Sequence, residues 1–230
     1  MCSSDLTFKV MGKLEVGGDL SSKGTFEADD TVQVTGSVTN EGSFTAQGPI
    51  TIGGDLSTDG SFVAGDSVEV DGGVVNSGSF QVGNHLTVGK DMFSDGEVMV
   101  VAGLTQIGGR LTTFGSWDSW STQVGNGWKS QGDVMIRNEV TVTGDLVSDG
   151  TFAVVNSATV TGNLSTSGSF VAGMTTVGGN ATLDGLCSVT YGMSVLGWLQ
   201  NFGTLKVSNG YLAVGGDLSS AGDRKSTRLN

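Results

Sequence analysis

Apolar and polar residues alternate along most of this chain, and the alternation returns to the same register about every 18 residues. Within each repeat the apolar residues fall at even offsets, which is the period of a β-strand and differs from the 3.6-residue period of a helix. Ser-Asp-Gly, Thr-Asp-Gly and Asn-Ser-Gly separate these segments, and such residues favour turns. The pattern predicts short strands joined by tight turns, with essentially no helix.

Twelve repeats align when the first residue of each is counted as position zero. Position two is Val or Ile and position six is apolar in every repeat, while position twelve is usually aromatic or Val. The step changes by one residue near Leu104, Thr122 and Tyr211, where we expect bulges or lengthened turns. The repeats begin at Leu14, Val32, Ile50, Val68, Leu86, Thr105, Thr122, Val140, Ala158, Thr175, Met193 and Leu212.

Positions two and twelve are predicted to line the core, because even offsets share one face of a strand. The predicted core residues are Val16, Ile52, Val70, Phe26, Phe44, Phe62, Phe80, Phe152 and Phe170. Position ten is Gly in every repeat, and we interpret these glycines as turn residues that supply a positive φ. They are Gly24, Gly42, Gly60, Gly78, Gly96, Gly115, Gly132, Gly150, Gly168, Gly185, Gly203 and Gly222.

A single repeat holds too few apolar side chains to offset the entropy of ordering its backbone, roughly 1–2 kcal/mol per residue. Stacking each repeat on its neighbours would place equivalent side chains in continuous columns and form one core along the array. The sequence therefore predicts an all-β fold: a single-chain parallel β-helix, or β-solenoid, of about twelve 18-residue coils that occupies residues 7–222.

The two ends of the chain do not follow the repeat. Residues 1–6, Met-Cys-Ser-Ser-Asp-Leu, resemble the translation of a common sequencing adapter, GTG TGC TCT TCC GAT CT. Residues 223–230, Asp-Arg-Lys-Ser-Thr-Arg-Leu-Asn, resemble the translation of GAT CGG AAG AGC ACA CGT CTG AAC. We expect both ends to be adapter-derived, and residues 7–222 to be a fragment of a longer protein.

The charge and composition of the chain limit the classes of binding partner. The formal net charge is −12, which argues against nucleic acid and anionic membrane surfaces as partners, since their phosphates need a basic surface. No run of about 20 apolar residues is present, so no membrane span is predicted. Once the N-terminal segment is set aside, Cys187 is the remaining cysteine and occupies the Phe position of its repeat, so we expect a buried thiol.

The polar residues indicate neither a catalytic centre nor a metal site, and we expect no cofactor. His85 is the single histidine, without the second His or Cys that a usual metal site needs. Position five carries a recurrent Asp, which we interpret as a solvated column and, as the alternative, as a cation site. These residues are Asp19, Asp55, Asp91, Asp145 and Asp217. Enzymatic β-helices need acidic clusters beside basic residues, and Arg110, Lys129 and Arg137 have no matching acidic cluster.

Aromatic residues concentrate near the middle of the chain. Trp117 and Trp128 occupy core positions, whereas Trp120 lies off the core register and Phe114 sits at a turn tip. Phe202 occupies the equivalent turn tip in a later repeat. Exposed aromatic faces suit sugar rings or a protein partner, so these last three residues are the predicted ligand-binding candidates.

The segments Val-Thr-Val-Thr-Gly-Asp-Leu-Val-Ser-Asp-Gly-Thr-Phe, at 140–152, and Thr-Val-Thr-Gly-Asn-Leu-Ser-Thr-Ser-Gly-Ser-Phe, at 159–170, resemble repeats of phage tail or head fibres and of bacterial surface adhesins. The resemblance covers nearly all of residues 8–222. It implies an extracellular or virion-surface structural rod or spacer that presents a binding surface, with cell-surface glycans and other copies of the chain, as a homotrimer, as partners.

Two alternatives remain open. The repeat length is also similar to that of bactofilins, cytoplasmic cytoskeletal proteins that polymerise end to end, although the Phe column and the Gly-Ser-Phe motif depart from their repeats. The second alternative is a polysaccharide-binding or polysaccharide-active β-helix, which depends on the aromatic residues of the middle alone.

Overall fold

A computed structural model describes residues 7–221 in full and residues 224–226 by their backbone. These residues form an all-β fold without a helix, a parallel β-solenoid of about twelve coils of about 18 residues. The predicted fold class is confirmed. Gly222 and the segments 1–6, 223 and 227–230 lie outside the described residues, and so do the predictions that fall on them.

The strands follow the chain in this order: β1 (Thr7–Val10), β2 (Leu14–Val16), β3 (Leu20–Ser22), β4 (Thr25–Ala28), β5 (Val32–Val34), β6 (Val38–Asn40), β7 (Ser43–Ala46), β8 (Ile50–Ile52), β9 (Leu56–Thr58), β10 (Ser61–Ala64), β11 (Val68–Val70), β12 (Val74–Asn76), β13 (Ser79–Val82), β14 (Leu86–Val88), β15 (Met92–Ser94) and β16 (Glu97–Ile107). The remaining strands are β17 (Leu111–Thr113), β18 (Trp117–Val124), β19 (Trp128–Ser130), β20 (Val134–Ile136), β21 (Glu139–Val142), β22 (Leu146–Ser148), β23 (Thr151–Val160), β24 (Leu164–Thr166), β25 (Ser169–Val177), β26 (Ala181–Leu183), β27 (Leu186–Val195), β28 (Leu199–Asn201), β29 (Thr204–Val207), β30 (Tyr211–Val214), β31 (Leu218–Ser220) and β32 (Arg224–Ser226).

Each regular coil contains three strands and three corners. In the coil that starts at Ile50, these are β8, β9 and β10, and the corners fall at residues 53–55, 59–60 and 65–67. Every strand pairs in parallel with its counterpart one coil away, so that Phe62 lies opposite Phe44 on one side and Phe80 on the other. The even positions of all three strands face inward, which explains the two-residue period of the sequence.

The contacts divide the chain into two compact units. Unit 1 comprises Met1–Gly109 and Gly115–Ser119, and unit 2 comprises Arg110–Phe114 and Trp120–Asn230. In unit 1, the aromatic column stacks Phe26, Phe44, Phe62 and Phe80 nearly parallel, with ring centroids 4.3–5.0 Å apart. Neighbouring rings in this column share apolar contact along the direction in which the coils stack.

In unit 2, the core is more heterogeneous. Phe152 stacks on Phe170 at 5.8 Å, and the indole of Trp128 meets the Phe152 ring edge-on at 5.0 Å. Trp128 occupies position six, where the other coils place Leu, Val, Met or Ala, and its Nε1 donates a hydrogen bond to Thr113 Oγ1. The hydroxyl of Thr113 thus satisfies the one polar atom of a buried indole.

All predicted core residues except Val16 are fully buried. Val16 is half-buried, which corrects that prediction. Its strand, β2, pairs with β5 (Val32–Val34) on one side, whereas β5 also pairs with β8 on its other side. Val16 therefore lacks a described neighbouring coil on one side and is less enclosed than Val34 and Ile52.

The sequence pattern did not predict a second, polar column at position eight. Its members are Ser, Thr or Asn except for Leu183, and Asn40, Asn76 and Ser130 are completely enclosed. Asn40 Nδ2 donates to Thr58 Oγ1 in the next coil at 3.2 Å and to the Ser61 carbonyl at 2.8 Å. A buried side-chain amide needs such partners, and the same contacts give the Ser61 carbonyl beside the second corner a hydrogen-bond donor.

Changes of coil length are confined to the third corner. This corner usually holds three residues, but it holds four at 101–104 and 208–211 and two at 120–121 and 173–174. The irregular steps near Leu104 and Tyr211 are lengthened turns, as predicted, whereas the corner near Thr122 is shortened by one residue, which corrects that prediction. A fourth irregular step, at 173–174, was missed. Opposite it, the register of β25 shifts against both β23 and β27.

The position-ten glycines do not have the conformation that the sequence suggested. Within the described residues, positive φ occurs only at Gly103, Gly127, Gly144 and Gly192, none of which is at position ten. A Cβ on Gly60 would instead lie 1.9 Å from the carbonyl oxygen of Gly42 in the preceding coil. Glycine is required here because the backbones of successive coils approach each other too closely for any side chain.

Among the described residues, no helix is long and apolar enough to cross a membrane.

The assignment of inward and outward positions can be tested with two neighbouring residues. Phe62 is fully buried between two rings, whereas Val63 faces outward and is half-buried. We expect Phe62→Ala to lower the free energy of unfolding by about 3–5 kcal/mol through lost burial and a cavity. Val63→Ala should cost about 1 kcal/mol or less. Urea denaturation followed by circular dichroism measures both, and equal losses would contradict the assignment.

The close approach at position ten predicts an unusual penalty for a small substitution. Gly60→Ala must displace backbone, and we expect a loss of about 1–3 kcal/mol or more in the free energy of unfolding. Gly17→Ala is the matched control, because no heavy atom lies within 4 Å of its added Cβ. That variant should be unchanged or stabilised by about 0.4–1 kcal/mol through its effect on the unfolded chain. Similar behaviour of the two variants in denaturation would exclude steric contact as the reason for the glycine column.

Candidate functional site

The first corner of each regular coil is held by a ladder of side-chain oxygens at position five. Asp19 Oδ1 accepts a hydrogen bond from the Ser37 N–H at 2.8 Å, and Ser37 Oγ accepts one from the Asp55 N–H at 3.0 Å. Asp55 Oδ1 in turn accepts from the Gly73 N–H at 2.8 Å. The recurrent Asp is thus more than the solvated charge that the sequence suggested, because its carboxylate caps the backbone of the next coil.

The glycine at position four is coupled to this ladder. A Cβ on Gly36 would lie 2.2 Å from Asp19 Oδ1, and a Cβ on Gly54 would lie 2.4 Å from Ser37 Oγ. Position four is Lys90 in the coil that follows Gly73. Gly73 has no side-chain oxygen, so the space beside position four of the next coil can hold a Cβ. The Gly-Gly-Asp motif therefore places an acceptor in one coil and leaves room for it in the next.

The ladder continues in unit 2 after Asp145. Its Oδ1 accepts hydrogen bonds from both the backbone N–H and the side-chain amide of Asn163, at 2.7 and 3.1 Å. Asn163 Oδ1 then accepts from the Asn180 N–H at 2.9 Å, and Asn180 Oδ1 accepts from the Trp198 N–H at 3.0 Å. Asn and Asp are interchangeable in the ladder because the Oδ1 atom of each accepts a hydrogen bond from the backbone N–H of position five in the next coil.

Before Asp145, the ladder of unit 2 is interrupted. Position five holds Arg110 and then Gly127, neither of which has a side-chain oxygen. Gly127 and Gly144 take positive φ values of 96° and 104°, and the Gly144 N–H turns to Thr161 Oγ1 at 3.0 Å. In the next coils the equivalent N–H groups, those of Gly162 and Gly179, bond the position-four carbonyl of the preceding coil. The backbone of the first corner is therefore rearranged at this one place.

A cleft of about 430 Å³ lies at this interruption. Arg110 and Lys129 bring two exposed cationic side chains to it, and Asn126, Gly127 and Asp145 line it as well. On a chain with a net charge of −12, two cations at one concavity are a local departure from the general surface. Sequence reasoning noted the basic residues but had no signal that would place them around one cleft.

A second cleft, of about 410 Å³, lies at the first corner of unit 1 and is lined by Glu15, Val16, Gly17, Gln33 and Thr35. A hydrogen bond and charge attraction from Lys13 hold the pKa of Glu15 below its ordinary value. This cleft therefore carries a carboxylate at neutral pH and differs in charge from the cleft of unit 2.

The predicted aromatic candidates lie at different corners. Phe114 and Phe202 are at second corners of coils that are well separated along unit 2, with 39% and 47% of their surfaces exposed. Trp120 is at a third corner and is 48% exposed. The structure therefore does not bring the three together into one site, and each remains a separate candidate. Trp198, at a first corner, is a further exposed indole that sequence reasoning did not select.

The third corners of unit 2 also expose apolar side chains that sequence reasoning did not select. Val155, Met174, Tyr191 and Tyr211 are all exposed there. Met174 pairs in register with Gly192, which in turn pairs with Tyr211. A Cβ on Gly192 would lie 3.0 Å from the Tyr211 ring, so the glycine makes room for that ring.

His85 and Cys187 both have structural roles or environments: His85 bonds a corner, and Cys187 is buried. His85 Nδ1 accepts a hydrogen bond from the Leu104 N–H at 2.9 Å and so ties down the lengthened third corner at 101–104. Burial raises the pKa of the Cys187 thiol to about 12, so it stays protonated and unreactive at neutral pH. No group of three or more His, Cys, Asp or Glu residues within the described part of the chain is placed to hold a metal ion.

Comparisons with models of protein families, with curated proteins and with solved structures gave no significant match.

The exposed indole of Trp120 provides a direct test of sugar binding. We expect an oligosaccharide that stacks on this ring to quench tryptophan fluorescence, since Trp117 and Trp128 are buried and shielded from it. Trp120→Ala should abolish the quenching. Trp198→Ala is the matched control, because it removes the other exposed indole, which is 40% accessible, and should leave the response intact. An absence of quenching across a broad glycan panel would contradict a sugar site at Trp120.

Proposed function

We propose that this chain is a structural rod or spacer, as in a viral fibre or cell-surface adhesin, that presents its outer surface to a binding partner. The observation that carries the proposal is the packed interior of each unit. Inward positions are occupied by packed side chains in both units, and the corners are joined coil to coil by hydrogen bonds. Such an array transmits its geometry along the chain, because each coil fixes the register of the next.

The outward positions support a role in presentation. Residues on the outer faces of the strands vary from coil to coil, whereas the inward residues repeat the same types. Position seven, for example, is Ser57 in one coil, Val75 in the next and Phe93 in the one after. A scaffold of this kind lets the surface vary without affecting the core. We place the protein outside the cell or on a virion, and we assign it no catalytic activity.

End-to-end polymerisation in the cytoplasm, as in a bactofilin-like filament, is the alternative. Apolar residues of the columns remain accessible in the first and last described coils, with Phe8 at 53% and Leu218 at 38% exposure. Parallel strands with accessible edges can pair with another copy. A glycan-binding β-helix is the second alternative, and it depends on the exposed Trp120 ring.

The solution mass of the full chain distinguishes the first two functions. Size exclusion with light scattering should give a discrete species, either a monomer or a trimer, because a spacer has a defined number of chains. The mass should stay constant over a wide range of protein concentration. Filaments that lengthen with concentration would instead favour the bactofilin-like alternative.

Exposed strand edges can also aggregate without any biological role, so a capped variant is needed as control. Phe8→Glu with Leu218→Glu places charges on the two accessible columns and should prevent pairing of raw edges. Met11→Glu, at an 81% exposed side chain, adds the same kind of charge away from the columns. Ordered filaments that persist in the capped variant would overturn the spacer proposal.

A further inference from the structure

We propose that the cleft of unit 2 at Arg110, Gly127 and Lys129 is a binding subsite for an oxyanion, such as the carboxylate of an acidic saccharide or a free sulfate or phosphate. The inference is independent of the spacer role, since it concerns one corner and does not require any particular assembly.

The first argument is the missing rung of the position-five ladder. At regular corners an oxygen from the preceding coil accepts the position-five N–H, as at Asn163, Asn180 and Trp198. Position five is Arg110, Gly127 and Asp145 in three successive coils. The preceding coil therefore offers no side-chain oxygen to the Gly127 N–H or to the Asp145 N–H. An external oxyanion would supply the acceptor that the sequence omits, at the same place in the corner.

The second argument is the backbone conformation. Gly127 and Gly144 both have positive φ, and the Gly144 N–H has left the regular coil-to-coil pattern for Thr161 Oγ1. The corner after Gly73 provides an internal comparison. Asp91 also follows a glycine at position five, Gly73, yet the Lys90 N–H keeps its bond to the Gly72 carbonyl, and no positive φ occurs there. A position-five residue without a side-chain oxygen therefore does not by itself rearrange the backbone. The rearrangement and the cleft occur at the corner of Arg110 and Gly127.

The third argument is charge. The guanidinium of Arg110 offers several planar donors that match carboxylate or sulfate, and the ammonium of Lys129 adds a second positive charge. Asp145 opposes an anion, but its Oδ1 already accepts two hydrogen bonds from Asn163 in the following coil. Arg110, Gly127, Lys129 and Asp145 line the same concavity. Cationic side chains combined with backbone N–H groups are the groups by which proteins hold anions.

The test is a titration of the folded full chain with sodium sulfate, with glucuronate and with neutral glucose, followed by amide nuclear magnetic resonance at low ionic strength. The amides of Gly127 and Asp145 should shift saturably with sulfate, with glucuronate or with both, and glucose should have no effect. The amide of Asn163 is the internal control, because Asp145 already occupies it. Tighter binding of glucuronate would identify a saccharide carboxylate as the source, and binding of sulfate alone would identify a free inorganic anion.

Arg110→Gln and Lys129→Gln should each weaken the binding at least about tenfold, since charge-assisted hydrogen bonds are the strong ones. Lys206→Gln is the matched control: it removes one exposed positive charge from β29, a third strand, and should leave the affinity unchanged. Circular dichroism checks that all three variants are folded. An absence of saturable shifts, or an equal loss of affinity in Lys206→Gln, would overturn the subsite.

Discussion

Parallel hydrogen bonding between each coil and its counterpart one repeat away is the interaction on which the rest of this structure depends. A coil of three short strands has no core of its own, and its strands make their ladder bonds to the neighbouring coils. The 18-residue register brings like to like, so that Phe62 meets Phe44 and Phe80, and Ser61 meets Ser43 and Ser79. This like-on-like stacking converts a small repeated motif into continuous columns.

The same close stacking dictates which residues are permitted at the corners. At the second corner, the carbonyl of one glycine lies where the Cβ of the next would be, so glycine is required at positions such as Gly42, Gly60 and Gly78. At the first corner, the restriction extends over two positions, because an oxygen at position five needs an empty Cβ at position four of the following coil. Gly36 and Asp19 therefore form a pair that is separated by a whole coil, although each looks like an ordinary turn residue in the linear sequence.

The architecture could be predicted from the sequence because it depends on a period, and a period is visible without any structure. Even offsets gave the inward face, and the repeat length gave the register. The meaning of Gly60 could not be predicted, since the atom that excludes a side chain there belongs to Gly42, and only the distance between the two coils reveals it. Asn40 was missed for a similar reason: a polar residue between apolar ones suggests solvent, yet it bonds Thr58 and the Ser61 carbonyl inside the coil. The candidate aromatic residues could be selected one by one, but the corner on which each lies follows from the fold.

The corners that depart from the regular coil are informative, because the regular corners are held by recurring contacts. The lengthened third corner at 101–104 is accounted for by His85, which accepts a hydrogen bond from the Leu104 N–H, and Gly192 is accounted for by the Tyr211 ring beside it. At the corner of Arg110 and Gly127, position five offers no side-chain oxygen to the following coil, and the backbone is rearranged at Gly127 and Gly144. Glycine at position five removes the acceptor, and arginine in the coil before it places a positive charge at the same level. An Asp or Asn at both places would restore a regular ladder, so the two substitutions together favour the oxyanion subsite proposed for this corner.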